Sequence, residues 1–326
     1  MQGATLRKLV LPVLGVGFLA LPWLSGGANV VFSACVIIAI FAVMSYGLDI
    51  IVSDLGEVSL AHPVFFAGGA YVTSIASSRA GLDPLSTLVL SLLVVLVMAG
   101  AIAFVTLRLR EFVFSLVTYA VSVVAMTVAS NWAFLGGSDG VTGIPAFELF
   151  GYRALTDKQL WPVAWALLMA TLYLVAAFRK SRLGHAAMTV HLNPSLARMS
   201  GISPELVRMK VFLVSAPISA SAGWLYAYQR AYISADVLTP YFLILMLTAV
   251  VLVGRRILLA PLLGVTLIVL QERFLSYGAY VDRIILGTLL IMALSFLPRG
   301  LYGLVQDTIS ALRRPKNQPL EERQET

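Results

Sequence analysis

Apolar residues recur in ten runs along the chain, over about residues 9–24, 30–52, 64–78, 85–107, 113–135, 160–178, 210–228, 240–254, 257–272 and 281–298. Each approaches the roughly 20 residues that a helix needs to cross the hydrocarbon core of a bilayer. The runs at 240–254 and 257–272 are both short and are the weakest of the set. No polar linker divides the sequence, so the pattern predicts one all-α, polytopic transmembrane bundle of about eight to ten spans. That domain covers residues 1–303, and the polar stretch 304–326 reads as a disordered tail.

One stretch interrupts the apolar pattern. Gly47–Tyr71, GLDIIVSDLGEVSLAHPVFFAGGAY, sets Asp49, Asp54, Glu57 and His62 among glycines and a proline. Acidic groups and helix breakers near membrane depth are costly unless they face protein or a water-filled path. Gly56, Gly68 and Gly69 permit close helix approach or unwound backbone. Ser59 and His62 can turn toward a cavity, and Pro63 fits the first turn of the following helix. The stretch therefore reads as a substrate path or gate built on a discontinuous helix. The plainer reading is a cytoplasmic turn whose small residues serve packing.

Composition agrees with the membrane reading. The 326 residues are 59% hydrophobic and 12% charged, with mean hydropathy +0.90, whereas a soluble domain carries about 25% charged residues. Net charge is +7, but the basic residues lie between apolar runs and at the ends, so topology accounts for them better than nucleic acid does. Arg108 and Arg110, the cluster Arg179, Lys180, Arg182, Arg198, Arg208 and Lys210, then Arg255 and Arg256, and finally Arg299, Arg313, Arg314 and Lys316 all fall on one side of a ten-span bundle. The positive-inside bias makes that side, and with it both termini, cytoplasmic. Arg7, Lys8 and the run Leu9–Leu24 also resemble a signal peptide, but the charge alternation closes only with the first helix retained. Cys35 stands alone inside an apolar run and reads as packing.

Two connections carry further patterning. Gly136–Gln159 begins GGSDGVTGIP, dense in turn formers. It reads as a surface loop, or as a periplasmic cap or partner contact formed with Gly137, Ser138, Asp139, Gly140, Gly143 and Pro145. In the connection 179–210, Asn193-Pro194 is a cap followed by proline at the first helical position, and Gly201 supplies a stop. This predicts a short helix over about 194–200, with a further helix starting at Ser203-Pro204. His62, His185 and His191 do not recur at metal-ligand spacing with carboxylates or cysteine, and no GxxxxGK[ST] phosphate loop occurs. No nucleophile–base or metal set can be assembled, so a membrane enzyme is disfavoured.

The motifs then become specific. Gly47-Leu48, Gly56-Glu-Val-Ser-Leu-Ala-His62-x-x-Phe65-Phe66 and Gly69-Ala70-Tyr71 resemble the GLN…GQ-x-SLGH-x-x-FF…GAY block of branched-chain amino acid ABC transporter permeases, the LivM-type subunit. Leu107-Arg-Leu-Arg110 with Phe114 and Leu116-Val-Thr118 is similar to LRLRG-x-YFALVT. Gly136-Gly-Ser-Asp-Gly140 through Gly143-Ile-Pro145 is similar to GGS[ND]GL[ST]GIP. Ser181-Arg-x-Gly184, Ala197, Gly201-Ile202, Lys210 and the small residues of 219–227 follow the cytoplasmic-loop pattern, and Pro298-Arg-Gly-Leu301 with Gly303 follows PRGLLG. The chain departs from the family at Glu57 for Gln, at Ala61 for Gly, at His191-Leu-Asn-Pro-Ser195, and at Gly254-Arg-Arg…Pro261-x-x-Gly264, which thins a glycine-rich block.

The resemblance implies a multi-pass subunit of the bacterial inner membrane that imports branched-chain or related hydrophobic amino acids and is not itself an enzyme. Partners would be a second related permease, two cytoplasmic ATPase subunits holding ATP and Mg, and a periplasmic solute-binding protein. The chain would need no cofactor of its own and no nucleic acid. Asp49, Glu57, Ser59, His62, Phe65, Phe66, Gly69 and Tyr71 would form the path or gate, and Asn193, Pro194, Ala197, Arg198 and Gly201 the ATPase-coupling segment. The alternatives are import of urea, amides or small carboxylates on the same scaffold, or a proton-coupled carrier using Asp49 or Glu57.

Overall fold

The computed structural model describes residues 17–24, 26–106, 109, 111–274, 278–296, 300–301 and 303. Expectations for the tail beyond 303, and for the first run before residue 17, lie outside the described residues. Helix α1 is seen over 17–24. It is followed by α2 (Asn29–Asp49), α3 (His62–Ala80), α4 (Pro84–Thr106) and α5 (Glu111–Asn131). A hairpin, β1 (Phe147–Leu149) with β2 (Tyr152–Ala154), precedes α6 (Asp157–Lys180), α7 (Arg182–Leu192) and α8 (Pro194–Met199). The chain closes with α9 (Pro204–Arg230), α10 (Pro240–Val253), α11 (Ala260–Phe274) and α12 (Ala279–Phe296). The nine apolar runs from 30–52 onward each became a helix within a few residues of the predicted bounds. Five helical stretches are long and apolar enough to cross a membrane: Asn29–Leu55, Pro84–Thr106, Phe112–Asn131, Asp157–Lys180 and Pro204–Arg230.

Burial sorts these helices into centre and rim. The apolar windows of Asn29–Leu55 and Pro204–Arg230 are 94% and 83% buried, whereas those of α4 and α5 are each 22% buried. So α2 and α9 form the axis, packed against each other and flanked by α3, α4, α6, α10 and α11. The outward faces of α4 and α5 expose Leu93, Val97, Phe104, Phe112 and Leu116, as lipid or a second apolar surface requires.

Small residues set the closeness of the axis. A Cβ on Gly47 of α2 would meet Ser219 Oγ and come within 3.0 Å of the Ser215 carbonyl. One on Gly69 of α3 would meet the Ala220 carbonyl, and one on Gly223 of α9 the Phe66 carbonyl. Ser215, Ser219 and Gly223 recur every four residues on one face of α9, which lets three backbones approach where the hydrophobic effect between helices is absent. Gly68 and Gly69 therefore serve close packing inside a regular helix, and not the unwound backbone that was the other expectation.

The connection 136–159 is a folded element, not a plain loop. Val141 pairs antiparallel with Ile233, and Phe147 packs edge-on against Trp224 (5.9 Å) and Tyr228 (5.5 Å) at the end of α9. Gly136 and Gly140 both take positive φ, and a Cβ on Gly140 would reach the Ile233 carbonyl and the Tyr232 ring. Backbone geometry thus accounts for much of the glycine content. Gly137, Ser138 and Asp139 form a 3₁₀ turn beside these contacts, while Gly143 and Pro145 are exposed.

Candidate functional site

The break after α2 is the centre of the molecule's polar chemistry. The last turn of α2 widens into a π-helix over Ile50–Leu55, and Gly56 ends it in the left-handed region (φ 76°). Residues 56–61 are irregular, and α3 then starts with Pro63 in its first turn. Backbone groups freed from a helix at membrane depth need other partners, and α5 supplies them. Ser115 Oγ donates to the Val58 carbonyl (2.7 Å), the Leu60 N–H donates to Thr118 Oγ1 (3.1 Å), and Ser122 Oγ donates to the Leu60 carbonyl (2.6 Å). The spacing of 115, 118 and 122 puts these hydroxyls on one face of α5.

Four carboxylates and arginines interlock on the α2 side of the break. Asp49 and Asp54 are 0% and 1% exposed. Arg179, in the last turn of α6, places Nη2 2.7 Å from Asp49 Oδ2 and Nε 3.0 Å from Asp54 Oδ2. Ser53 Oγ donates to the other Asp49 oxygen (2.5 Å). Arg256 Nε approaches Asp54 Oδ1 at 3.4 Å, and its Nη1 contacts Met188 of α7. Arg256 itself sits at φ 63°, a conformation that costs a non-glycine residue about 1–3 kcal/mol. Burying charges like these is tolerable only with close partners and full hydrogen bonding.

Glu57 lies just beyond, 7% exposed, with Oε1 2.5 Å from Arg208 Nε of α9. Replacing Glu57 by Gln should lower the thermal stability of the purified permease, because Arg208 loses the charge it is buried against, at a cost of about 2–4 kcal/mol. A melting temperature equal to wild type would rule out a stabilising pair.

Ser59, His62, Phe65 and Phe66 are all fully buried. His62 Nε2 lies 3.3 Å from Ser215 Oγ, and its ring meets Phe65 and Phe212 edge-on. Phe66 lies on another face, stacked on Phe242 (5.7 Å) and tilted against Tyr226. Ser59 Oγ and the Tyr71 hydroxyl are buried and find no hydrogen-bond partner among the described residues. The path residues are thus split: Asp49 and Glu57 meet arginines, His62 and Phe65 face α9, Gly69 is a packing contact, and Tyr71 stands apart.

The same end of the bundle carries the capped helix. Asn193 Oδ1 accepts from the Ser195 and Leu196 N–H groups (3.0 Å each), Pro194 opens α8, and Gly201 follows it at φ 78°. Ala197 is buried and Arg198 is paired with Glu205, while Leu192, Leu196 and Met199 are 71%, 56% and 86% exposed. Ser203 stands at the start of α9 without capping it through its side chain; its hydroxyl turns to Glu205 (3.3 Å). α7 ties α8 to the break, since a Cβ on Gly56 would run into the His191 ring.

Arg179, Arg208 and Arg256 were not legible as site residues. Positive-inside counting treats them as interfacial charges, and their partners are far away in sequence. Among the described residues no cluster of His, Cys, Asp and Glu suits a metal ion.

Comparison with known proteins adds the lineage. The family model described as branched-chain amino acid transport system / permease component matches residues 30–294. The high-affinity branched-chain amino acid transport system permease protein LivM of Salmonella typhimurium is 25% identical over 325 residues, covering 92% of this chain and 76% of the relative. LivM of Escherichia coli is 24% identical with the same coverage. A probable LivH permease of Methanocaldococcus jannaschii is 27% identical over 170 residues, 48% of this chain and 51% of that one. No solved structure matches the chain.

Proposed function

The chain belongs to the family of branched-chain amino acid transport permease components, and from that membership we propose that it is the membrane subunit of a binding-protein-dependent ABC importer. Its substrates are branched-chain or related hydrophobic amino acids. Its energy comes from ATP hydrolysed, with Mg, on two cytoplasmic ATPase subunits, and it works beside a second, related permease and a periplasmic binding protein. It resides in the bacterial inner membrane with the α8 end toward the cytoplasm.

The observation that carries this reading is α8. It is a short, side-chain-capped helix whose exposed Leu196 and Met199, with Leu192 at the end of α7, leave apolar side chains uncovered. Apolar side chains left uncovered at one turn suit burial against another protein. Its base is joined through α7 to Gly56, and Met188 of α7 touches Arg256, which reaches Asp54. Force on α8 therefore arrives at the broken helix. A rigid shift of α7–α8 would bias the two arrangements of the break, the kind of two-state element that ligand and nucleotide can each favour. The arginine pairing of Asp49, Asp54 and Glu57 also supports an ATP-driven mechanism over a proton-coupled one, because each carboxylate is already matched by a fixed positive charge.

Replacing residues 194–199 by a Gly-Ser linker should remove most of the ATPase subunits that co-purify with the permease, while the bundle still inserts. Undiminished co-purification would sink the coupling role. Vesicle uptake that persists without ATP and collapses with a proton uncoupler would sink the ABC reading itself.

A further inference from the structure

The end of the bundle opposite α8 holds a cavity of about 350 Å³ between α2, α9, α10 and α11, within the roughly 300–1,000 Å³ range of small-molecule sites. It does not touch the ion network. Its wall sets the buried Phe41, Phe242 and Val269 among polar side chains, and Tyr226 and Phe242 are the residues against which Phe66 packs. Charges of both signs line it as well. Glu272 accepts from the Tyr241 hydroxyl (2.6 Å), Arg230 donates through Nε to the Tyr226 hydroxyl (3.2 Å), and Arg273 donates to Ser33 Oγ (3.3 Å). Among the described ion pairs, none includes Glu272, Arg230 or Arg273. Each hydrogen-bonds a neutral hydroxyl; Arg230 also lies over the Tyr226 ring at 5.5 Å, and both arginines are exposed while Glu272 is partly buried.

This differs from the other end, where every buried carboxylate meets an arginine. Charges of opposite sign around one cavity with buried aromatic walls suit a ligand that carries both charges on a small head and an apolar remainder. Resting on the reading of the chain as a hydrophobic amino acid permease, we propose that this cavity binds a free α-amino acid as the zwitterion. Glu272 receives the ammonium, Arg230 and Arg273 receive the carboxylate, and Phe41, Phe242 and Val269 receive the aliphatic side chain. Urea and simple amides offer no charge to the three ionic groups, and a plain carboxylate leaves Glu272 without a partner, so both rank below an amino acid here.

The test uses the full transporter in nanodiscs, with Ile37→Cys reporting from the cavity wall and the native Cys35 buried and silent. Labelling by a methanethiosulfonate reagent should slow about tenfold with L-leucine, the scale of one or two charge-assisted hydrogen bonds. It should slow far less with 4-methylpentanoate, which lacks the ammonium, with isoamylamine, which lacks the carboxylate, or with urea. Adding Glu272→Gln should erase the difference between leucine and 4-methylpentanoate. The proposal is overturned if position 37 does not label, if leucine leaves the rate unchanged, if Glu272→Gln preserves the discrimination, or if protection follows ethanolamine lipid headgroups in place of leucine. Leucine uptake by the same complex reconstituted in proteoliposomes separates the two levels. Uptake without protection overturns this site alone, whereas a transporter that moves no hydrophobic amino acid overturns the substrate reading on which the site rests.

Discussion

Replacing Arg179 by methionine should unfold or misassemble the permease, with a stability loss of about 3–5 kcal/mol. The side chain is 13% exposed and bridges two carboxylates that are each 1% exposed. Removing it leaves Asp49 and Asp54 facing each other with only the longer Arg256 contact to Asp54. Two buried like charges repel, and neither can return to water. The companion variant makes the cause testable. Arg179→Met combined with Asp49→Asn and Asp54→Asn removes all three charges and should recover most of the lost melting temperature. A single Arg179→Met protein that melts and assembles like wild type would show that the network carries no stability. Failure of the triple variant to recover would point to a packing role for the guanidinium stem.

Gly69→Leu should be nearly as damaging, by a different route. The new Cβ would lie on the Ala220 carbonyl, and the contact is backbone against side chain, with no flexible tip to yield. Overpacking usually costs about 1–3 kcal/mol, and pushing α3 off the axis helix α9 also disturbs the start of α3, where His62 meets Ser215. Gly223→Leu should do the same against the Phe66 carbonyl. Gly100→Ala is the control: its nearest outside atom is 3.9 Å from a built Cβ, so it should be neutral or slightly stabilising, since alanine favours helix by about 1 kcal/mol over glycine. Equal melting temperatures for Gly69→Leu and Gly100→Ala would dismiss the close approach.

Much of this was readable before any coordinates. Run length in apolar residues placed the helices, because backbone groups in hydrocarbon leave few other structures. The acidic and glycine content of Gly47–Tyr71 located the break, and Asn193-Pro194 with Gly201 located α8 with both caps. What escaped was long-range. Arg179 is 125 and 130 residues from its two partners, and no local pattern links them. The cavity draws single residues from four helices. One signal was local and could have been used, the hydroxyls of Ser115, Thr118 and Ser122 at helical spacing; the Phe150-Gly151 turn that joins β1 to β2 lacks the Asn-Gly or Asp-Gly pair that marks a two-residue hairpin in sequence.

The arginine network also has a history in time. A ribosome reads this chain from its N-terminus, so α2 is made with Asp49 and Asp54 already in place, and Arg179 is translated 130 residues after Asp49. The hydroxyls that receive the backbone of 58–60 likewise arrive some 57–62 residues late. The segment from α2 to α3 is thus synthesised before any of the groups that meet its charges and carbonyls. Its partners come later in the chain: α5 for the backbone of 58–60, α6 for Asp49 and Asp54, and α9 for Glu57.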